Sequence, residues 1–195
     1  MITREFIDRI VVESRMIMKS EALEAIVRSQ EDASLRSPGV EAHYYRFLYR
    51  LAQETKPRLS LELGTHTGIS AACLAEGNPD GKVVTVDIAP FVRDDCRRSN
   101  IQYQTQDSLT PIRFIEPIDI LFLDTNHDGV HPLQEYLLYK DFMSPNGVIF
   151  FDDIFLLECM KKFWEAFIPE RGEKFEIPVH GGAGFGVVLL RPVEA

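Results

Sequence analysis

The chain has 195 residues, 45% hydrophobic and 26% charged, the balance of a single soluble globular domain with room for an added segment. Its formal net charge of −9 argues against nucleic acid as the main partner, because phosphate binding needs a basic surface. Cys73, Cys96 and Cys159 stand far apart in no CxxC or CxxH spacing, which argues against a disulfide framework or a zinc site and suits a reducing compartment. No run approaches the ~18 apolar residues of a membrane span. The start, MITREFIDRI, lacks the apolar core of a signal peptide, so no membrane partner and a cytoplasmic location are expected.

In chain order, residues 1–36 read as helical, with Phe6, Ile7, Ile10 and Val11 on one face, then Leu23, Ile26 and Val27 on another. Ser20 is a candidate cap for the second helix. Ser34–Gly39 reads as a loop around Pro38-Gly39, and a third helix follows through Val40, Tyr44, Phe47, Leu48 and Leu51 until Lys56-Pro57 ends it. From there short apolar runs alternate with amphipathic stretches. The runs are Leu59–Leu63, Val83–Val86, Ile101–Tyr103, Ile118–Leu123, Val148–Phe151, Phe175–Val179 and Phe185–Leu190. Helical patterns separate most of them, as at Leu133–Phe142 and Leu156–Phe167. That texture predicts a Rossmann-like, doubly wound α/β fold with a mostly parallel seven-stranded sheet covered on both faces. The connector His180–Gly184 is too short for a parallel crossover, which needs about a dozen residues, so the last two strands should form an antiparallel hairpin. The division expected is 1–56 as N-terminal helices serving as lid, oligomer or substrate segment, and 57–195 as the cofactor-binding domain.

The sharpest chemical signal is Leu61-Glu62-Leu63-Gly64-Thr65-His66-Thr67-Gly68-Ile69-Ser70, a buried strand that ends in glycines and opens onto a helix. Glycine permits the tight turn and close backbone approach, and a helix N-terminus points N–H groups at a ligand. The spacing is G-x-x-x-G, not the dinucleotide G-x-G-x-x-G. Val83-Val84-Thr85-Val86-Asp87 then ends a strand with a carboxylate about twenty residues on, where ribose hydroxyls of a nucleoside would lie. The competing role for Asp87 alone is a helix cap or a solvated loop acid. Asp107 follows the third strand.

The set LELGTHTG, VVTVD, QDS, IDILFLDTNHD and NGVIFFDD resembles the class I S-adenosylmethionine-dependent methyltransferases. Among them it looks most like the metal-dependent small-molecule O-methyltransferases: the catechol and macrocin enzymes and relatives of cephalosporin hydroxylase. The similarity covers residues 57–153. It implies that Glu62, Gly64, Thr65, Thr67 and Gly68 form the cofactor loop, with Glu62 meeting the methionine ammonium. It assigns Asp87 to the ribose and Asp107 with Ser108 to the adenine. Asp124, Asp152 and Asp153 match the ligands of a magnesium ion. His127 falls where the catechol enzymes place a lysine base, and an imidazole of ordinary pKa near ~6.5 suits that role at neutral pH.

A physical argument for a metal stands beside the resemblance. The carboxyl ends of adjacent strands converge on one crevice, and two carboxylates ~4 Å apart repel by roughly 4 kcal/mol at an effective dielectric of about 20. A hard cation such as Mg²⁺ removes that penalty. The competing role for Asp152 or Asp153 is to cap a helix near Phe155. His66 reads equally as a cofactor contact or a solvent-facing loop residue, and His131 as a helix start. His180 and its glycines belong to a turn, and Tyr44, Tyr45, Phe47 and Tyr49 belong to core packing more than to a substrate lid. The sequence therefore predicts an O-methyltransferase using S-adenosylmethionine and Mg²⁺ on a small-molecule substrate with vicinal oxygens, compatible with a homo-oligomer. The alternatives are a non-catalytic cofactor-binding or scaffold protein and, with less support, an NAD-dependent oxidoreductase.

Overall fold

A computed structural model describes residues 2–34, 43–112, 116–179 and 182–191. Three helices open the chain: α1 (Arg4–Glu13), α2 (Glu21–Ser34) and α3 (Tyr44–Thr55). The side chain of Thr3 accepts from the Phe6 N–H to cap α1, and the Ser20 hydroxyl accepts from the Leu23 N–H at 3.4 Å ahead of α2. Val40 and the Pro38-Gly39 turn lie outside the described residues. Helix α3 stops where Lys56 turns left-handed (φ 50°), because Pro57 crowds the helical conformation of the residue before it.

Strands β1 (Leu59–Leu63), β2 (Lys82–Asp87), β3 (Ile101–Thr105), β4 (Ile118–Leu123) and β5 (Met143–Phe151) are parallel. Between them come α4 (Ile69–Gly77) after β1 and α5 (His131–Tyr139) after β4. Helix α6 (Glu158–Ala166) follows β5, and the chain ends in β6 (Glu173–Ile177) and β7 (Phe185–Leu189). The sheet order is β3-β2-β1-β4-β5-β7-β6, with β7 antiparallel to both its neighbours. The short-connector argument thus holds, although His180 and Gly181 lie outside the described residues. Strand β5 starts earlier than its apolar run, at Met143, and a register shift against β4 accommodates Pro145 to Gly147.

Alternation along the strands divides the core. Ile120, Phe122, Val148, Phe150 and Phe185 face one side, against α1, α3 and α4 residues such as Ile7, Phe47, Leu48 and Leu74. Leu61, Leu63, Leu121, Ile149 and Phe151 face the other, against Tyr136 and Tyr139 of α5 and Trp164 of α6. Every residue of β1 is buried, as expected for the central strand of a sheet covered on both faces. Among the described residues no helix is long and apolar enough to cross a membrane.

Candidate functional site

The strand order reverses beside β1, which pairs with β2 on one side and β4 on the other. In open α/β sheets this is where the carboxyl ends of the strands leave a crevice. A cavity of about 540 Å³ lies there, lined by Gly64, Asp87, Asp107, Ser108, Asp124 and His131 among others. That volume is within the range of small-ligand sites.

The loop between β1 and α4 needs both its glycines. Gly64 has φ +103°, and a Cβ there would stand 1.7 Å from the Asp124 carbonyl oxygen. Its N–H donates to Val86 and the Asp124 N–H donates to Leu63, both at 2.8 Å, so the loop is laced to β2 and β4. Gly68, at φ +83°, forms the N-cap of α4. The loop glycine therefore answers first to the neighbouring strand, a steric demand that the sequence analysis assigned to the ligand.

The predicted cofactor residues take three positions. Gly64, Asp87, Asp107 and Ser108 line the cavity. Thr67 and Gly68 shape the turn, where the Arg93 N–H donates to the Thr67 carbonyl. Glu62 and Thr65 lie beneath the loop, fully or almost fully buried. The Thr85 hydroxyl donates to Glu62 and shares a 2.6 Å hydrogen bond with Thr65, while Oε1 of Glu62 has no hydrogen-bond partner. Asp87 also acts as a loop acid, accepting the N–H groups of His66 and Ala89 at 2.8 Å each. Asp107 accepts the Leu109 N–H at 2.9 Å.

On the β4–β5 side, Leu123 pairs in register with Phe151, so Asp124 and Asp152 follow at adjacent strand ends. Ligand atoms of Asp124, His127 and Asp152 lie within 4.8 Å of one another. Asp152 is buried, and Asp153, in the left-handed region at φ 53°, turns its Oδ2 to 3.6 Å from Nε2 of His127. Asp124 Oδ1 is also 3.6 Å from that nitrogen, which is buried without a hydrogen-bond partner. The neighbouring Asp124 carboxylate raises the His127 pKa above its ordinary value, with Asp153 and Asp152 adding and burial opposing. The tightest grouping thus holds an imidazole where the sequence reading put Asp153, and Asp153 borders it.

Sequence reasoning missed how α5 is started and what it holds. Asp128 accepts the N–H groups of Val130 and His131 at 2.8 and 2.7 Å, capping the turn that opens α5 three residues ahead of its start at His131. His131 thereby reaches the cavity wall, and Glu135 lies one turn behind it, fully buried. The His-x-x-x-Glu spacing next to Tyr136 was the available signal. Of the aromatic group, Tyr45, Phe47 and Tyr49 are core residues as expected and Tyr44 packs against them; Tyr44 and Tyr45, which start α3, also lie close enough to Asp124 and Asp152 for those charges to oppose phenol ionisation, after burial.

Residues 61–154 match a family model described as a methyltransferase domain. No curated protein sequence matches the chain. Among solved structures, the O-methyltransferase TomG of Streptomyces achromogenes, involved in tomaymycin synthesis and bound to SAM, is 20% identical with a TM-score of 0.69, covering 98% of this chain and 100% of its own. The SAH-bound methyltransferase PaMTH1 of Podospora anserina is 20% identical with a TM-score of 0.67, covering 100% and 98%. The SAH-bound O-methyltransferase of Bacillus cereus is 23% identical with a TM-score of 0.63, covering 94% and 99%. The chain therefore shares the fold of these methyltransferases, and the stretch that matches the family model, residues 61–154, runs from β1 through the end of β5.

Proposed function

We propose that the chain is an O-methyltransferase acting on a small molecule with vicinal oxygens, assisted by a divalent cation. The observation that carries this reading is the convergence of Asp124, His127 and Asp152 within 4.8 Å at the rim of a cavity that Asp124 itself lines. The donor set fits a cation, since two carboxylates and a buried imidazole nitrogen without a hydrogen-bond partner surround one small space. Asp124 and Asp152 would hold the ion, Mg²⁺ in the first instance, with Asp153 beside them. When bound, a divalent cation supplies orientation of two substrate oxygens and a lower pKa for the attacked hydroxyl. In this reading His127 receives the hydroxyl proton, Asp87 holds the ribose, and Asp107 and Ser108 border the adenine. Glu62 meets the methionine ammonium from beneath the loop, and Thr65, Thr67 and Gly68 keep the loop in shape.

The test is calorimetric titration with S-adenosylhomocysteine with and without Mg²⁺, followed by methylation of catechols and sugar diols. Replacing Asp152 by Asn should lower turnover at least 100-fold and leave S-adenosylhomocysteine affinity within about threefold, since ion and cofactor occupy different sides of the cavity. Full turnover in D152N, or turnover indifferent to a chelator, would remove the cation from the reading.

A further inference from the structure

The grouping at the ends of β4 and β5 departs from an all-oxygen site in one residue. Nε2 of His127 lies 3.6 Å from Oδ1 of Asp124 and 3.6 Å from Oδ2 of Asp153. Ligand atoms of Asp124, His127 and Asp152 fall within 4.8 Å of one another. Two donors 3.6 Å apart can both reach one ion at the ~2.0–2.1 Å typical of zinc–nitrogen and zinc–oxygen bonds, because twice that length exceeds the gap. The imidazole therefore stands at ligand distance, beside carboxylates that would hold the ion.

The backbone keeps all three donors in place. The Asp124 N–H donates to the Leu63 carbonyl at 2.8 Å and the Asp152 N–H to the Leu123 carbonyl at 3.0 Å, so both acids leave paired strand ends. His127 sits in a turn closed by Asp128, whose carboxylate accepts the Asn126 side-chain amide at 2.9 Å and the N–H groups of Val130 and His131. The Cys159 thiol donates to the His127 carbonyl at 3.3 Å and ties that turn to the start of α6. Outer contacts of this kind orient metal-binding side chains and strengthen their hold on an ion.

Dications differ in what they ask of such a set. Mg²⁺ is hard, demands near-octahedral oxygen coordination and keeps several waters, so one or two carboxylates serve it and an imidazole is left over. Zn²⁺ takes imidazole nitrogen beside carboxylate oxygen and needs only four ligands. A lone pair on Nε2 holds either a metal or a proton, never both. We propose that His127 gives the site a second metal state, in which Nε2 joins Asp124 and Asp152 as the third protein ligand of a borderline dication such as Zn²⁺. In that state His127 has no lone pair facing the site for the substrate proton, so Zn²⁺ binds more tightly than Mg²⁺ and silences the protein. The inference rests on the cation reading above and adds a regulation of the same site.

Two binding measurements on the ion-free protein test it, with Zn²⁺ and Mg²⁺ titrated separately. By calorimetry the wild type should take one equivalent of Zn²⁺ at least roughly 100-fold more tightly than Mg²⁺. His127→Ala should weaken Zn²⁺ binding at least roughly tenfold and leave Mg²⁺ binding within about threefold. The histidine ¹⁵N spectrum of the wild type reads the same bond without a variant, since one equivalent of Zn²⁺ should move Nε2 of His127 to the metal-bound range. Zn²⁺ held equally well by folded H127A, or a His127 Nε2 that Zn²⁺ leaves unmoved, overturns the proposal. So does a Zn²⁺-loaded protein that methylates an acceptor as fast as the Mg²⁺-loaded one. Mg²⁺ binding without any His127-dependent binding of Zn²⁺ would overturn this inference alone, whereas binding of neither ion would strike the cation reading, and the second metal state falls with it.

Discussion

At the residue scale, Glu62 shows how far burial can move an ordinary group. It has no exposed surface, and burial pushes its carboxyl up to about 8, against the hydroxyls of Ser70 and Thr85 and with the charges of Asp124 and Asp87 adding to the rise. An acid whose pKa is higher folded than unfolded holds an extra proton in the native state between the two values. Stability is therefore full below the ordinary carboxylate value of 4.5 and falls as pH rises from there through about 8. Glu62→Gln should flatten that fall and be more stable than the wild type at pH 9, by on the order of 1–3 kcal/mol. Urea unfolding at pH 5 and pH 9 reads this; parallel profiles for the two proteins would contradict it. The acids at the strand ends were legible in the sequence, because each closes an apolar run and the parallel sheet sends those ends to one crevice. Glu135 was not, because its value depends on where α5 begins, and that is set by the cap at Asp128.

Among elements, the β1–α4 loop carries the strictest demand. A Cβ at Gly64 would overlap the Asp124 carbonyl, whereas one at Gly68 would only press on Val92 at 3.2 Å. Gly64→Ala must therefore part the ends of β1 and β4, while Gly68→Ala costs mainly its left-handed backbone, about 1 kcal/mol. G64A should lose several degrees of Tm and lose S-adenosylhomocysteine binding together, and G68A should stay within a few degrees of the wild type. Thermal unfolding followed by calorimetry separates them; a G64A protein of unaltered Tm would show that the strand ends yield more easily than their geometry implies. The sequence pointed to these glycines because only φ > 0 suits a turn this tight. It did not show that the obstacle is a neighbouring strand, since strand neighbours become known only with the sheet order.

At the scale of the whole molecule, the first three helices complete the core on one face of the sheet. Ile7 and Ile10 of α1 and Leu23 and Val27 of α2 have no exposed surface, and they join the cluster that contains Phe150 and Phe185. Burying each such side chain contributes roughly 1.5–3 kcal/mol. Removing these four alone forfeits on the order of 6–12 kcal/mol, as much as the whole stability of a typical domain. The same helices hold the site. The Ser14 hydroxyl at the end of α1 shares a 2.7 Å hydrogen bond with His43 Nδ1, and the His43 N–H donates to Val179 beside the last hairpin. His43 immediately precedes Tyr44 and Tyr45, whose phenols sense Asp124 and Asp152. A chain beginning at residue 44 should therefore fail to unfold cooperatively and should expose apolar surface to a hydrophobic dye, with the sheet destabilised along with the helices. Circular dichroism melts and dye binding of that fragment provide the check. A soluble fragment with a sharp transition would show that the sheet and α4 to α6 make a sufficient core, and that the N-terminal helices serve only the substrate side.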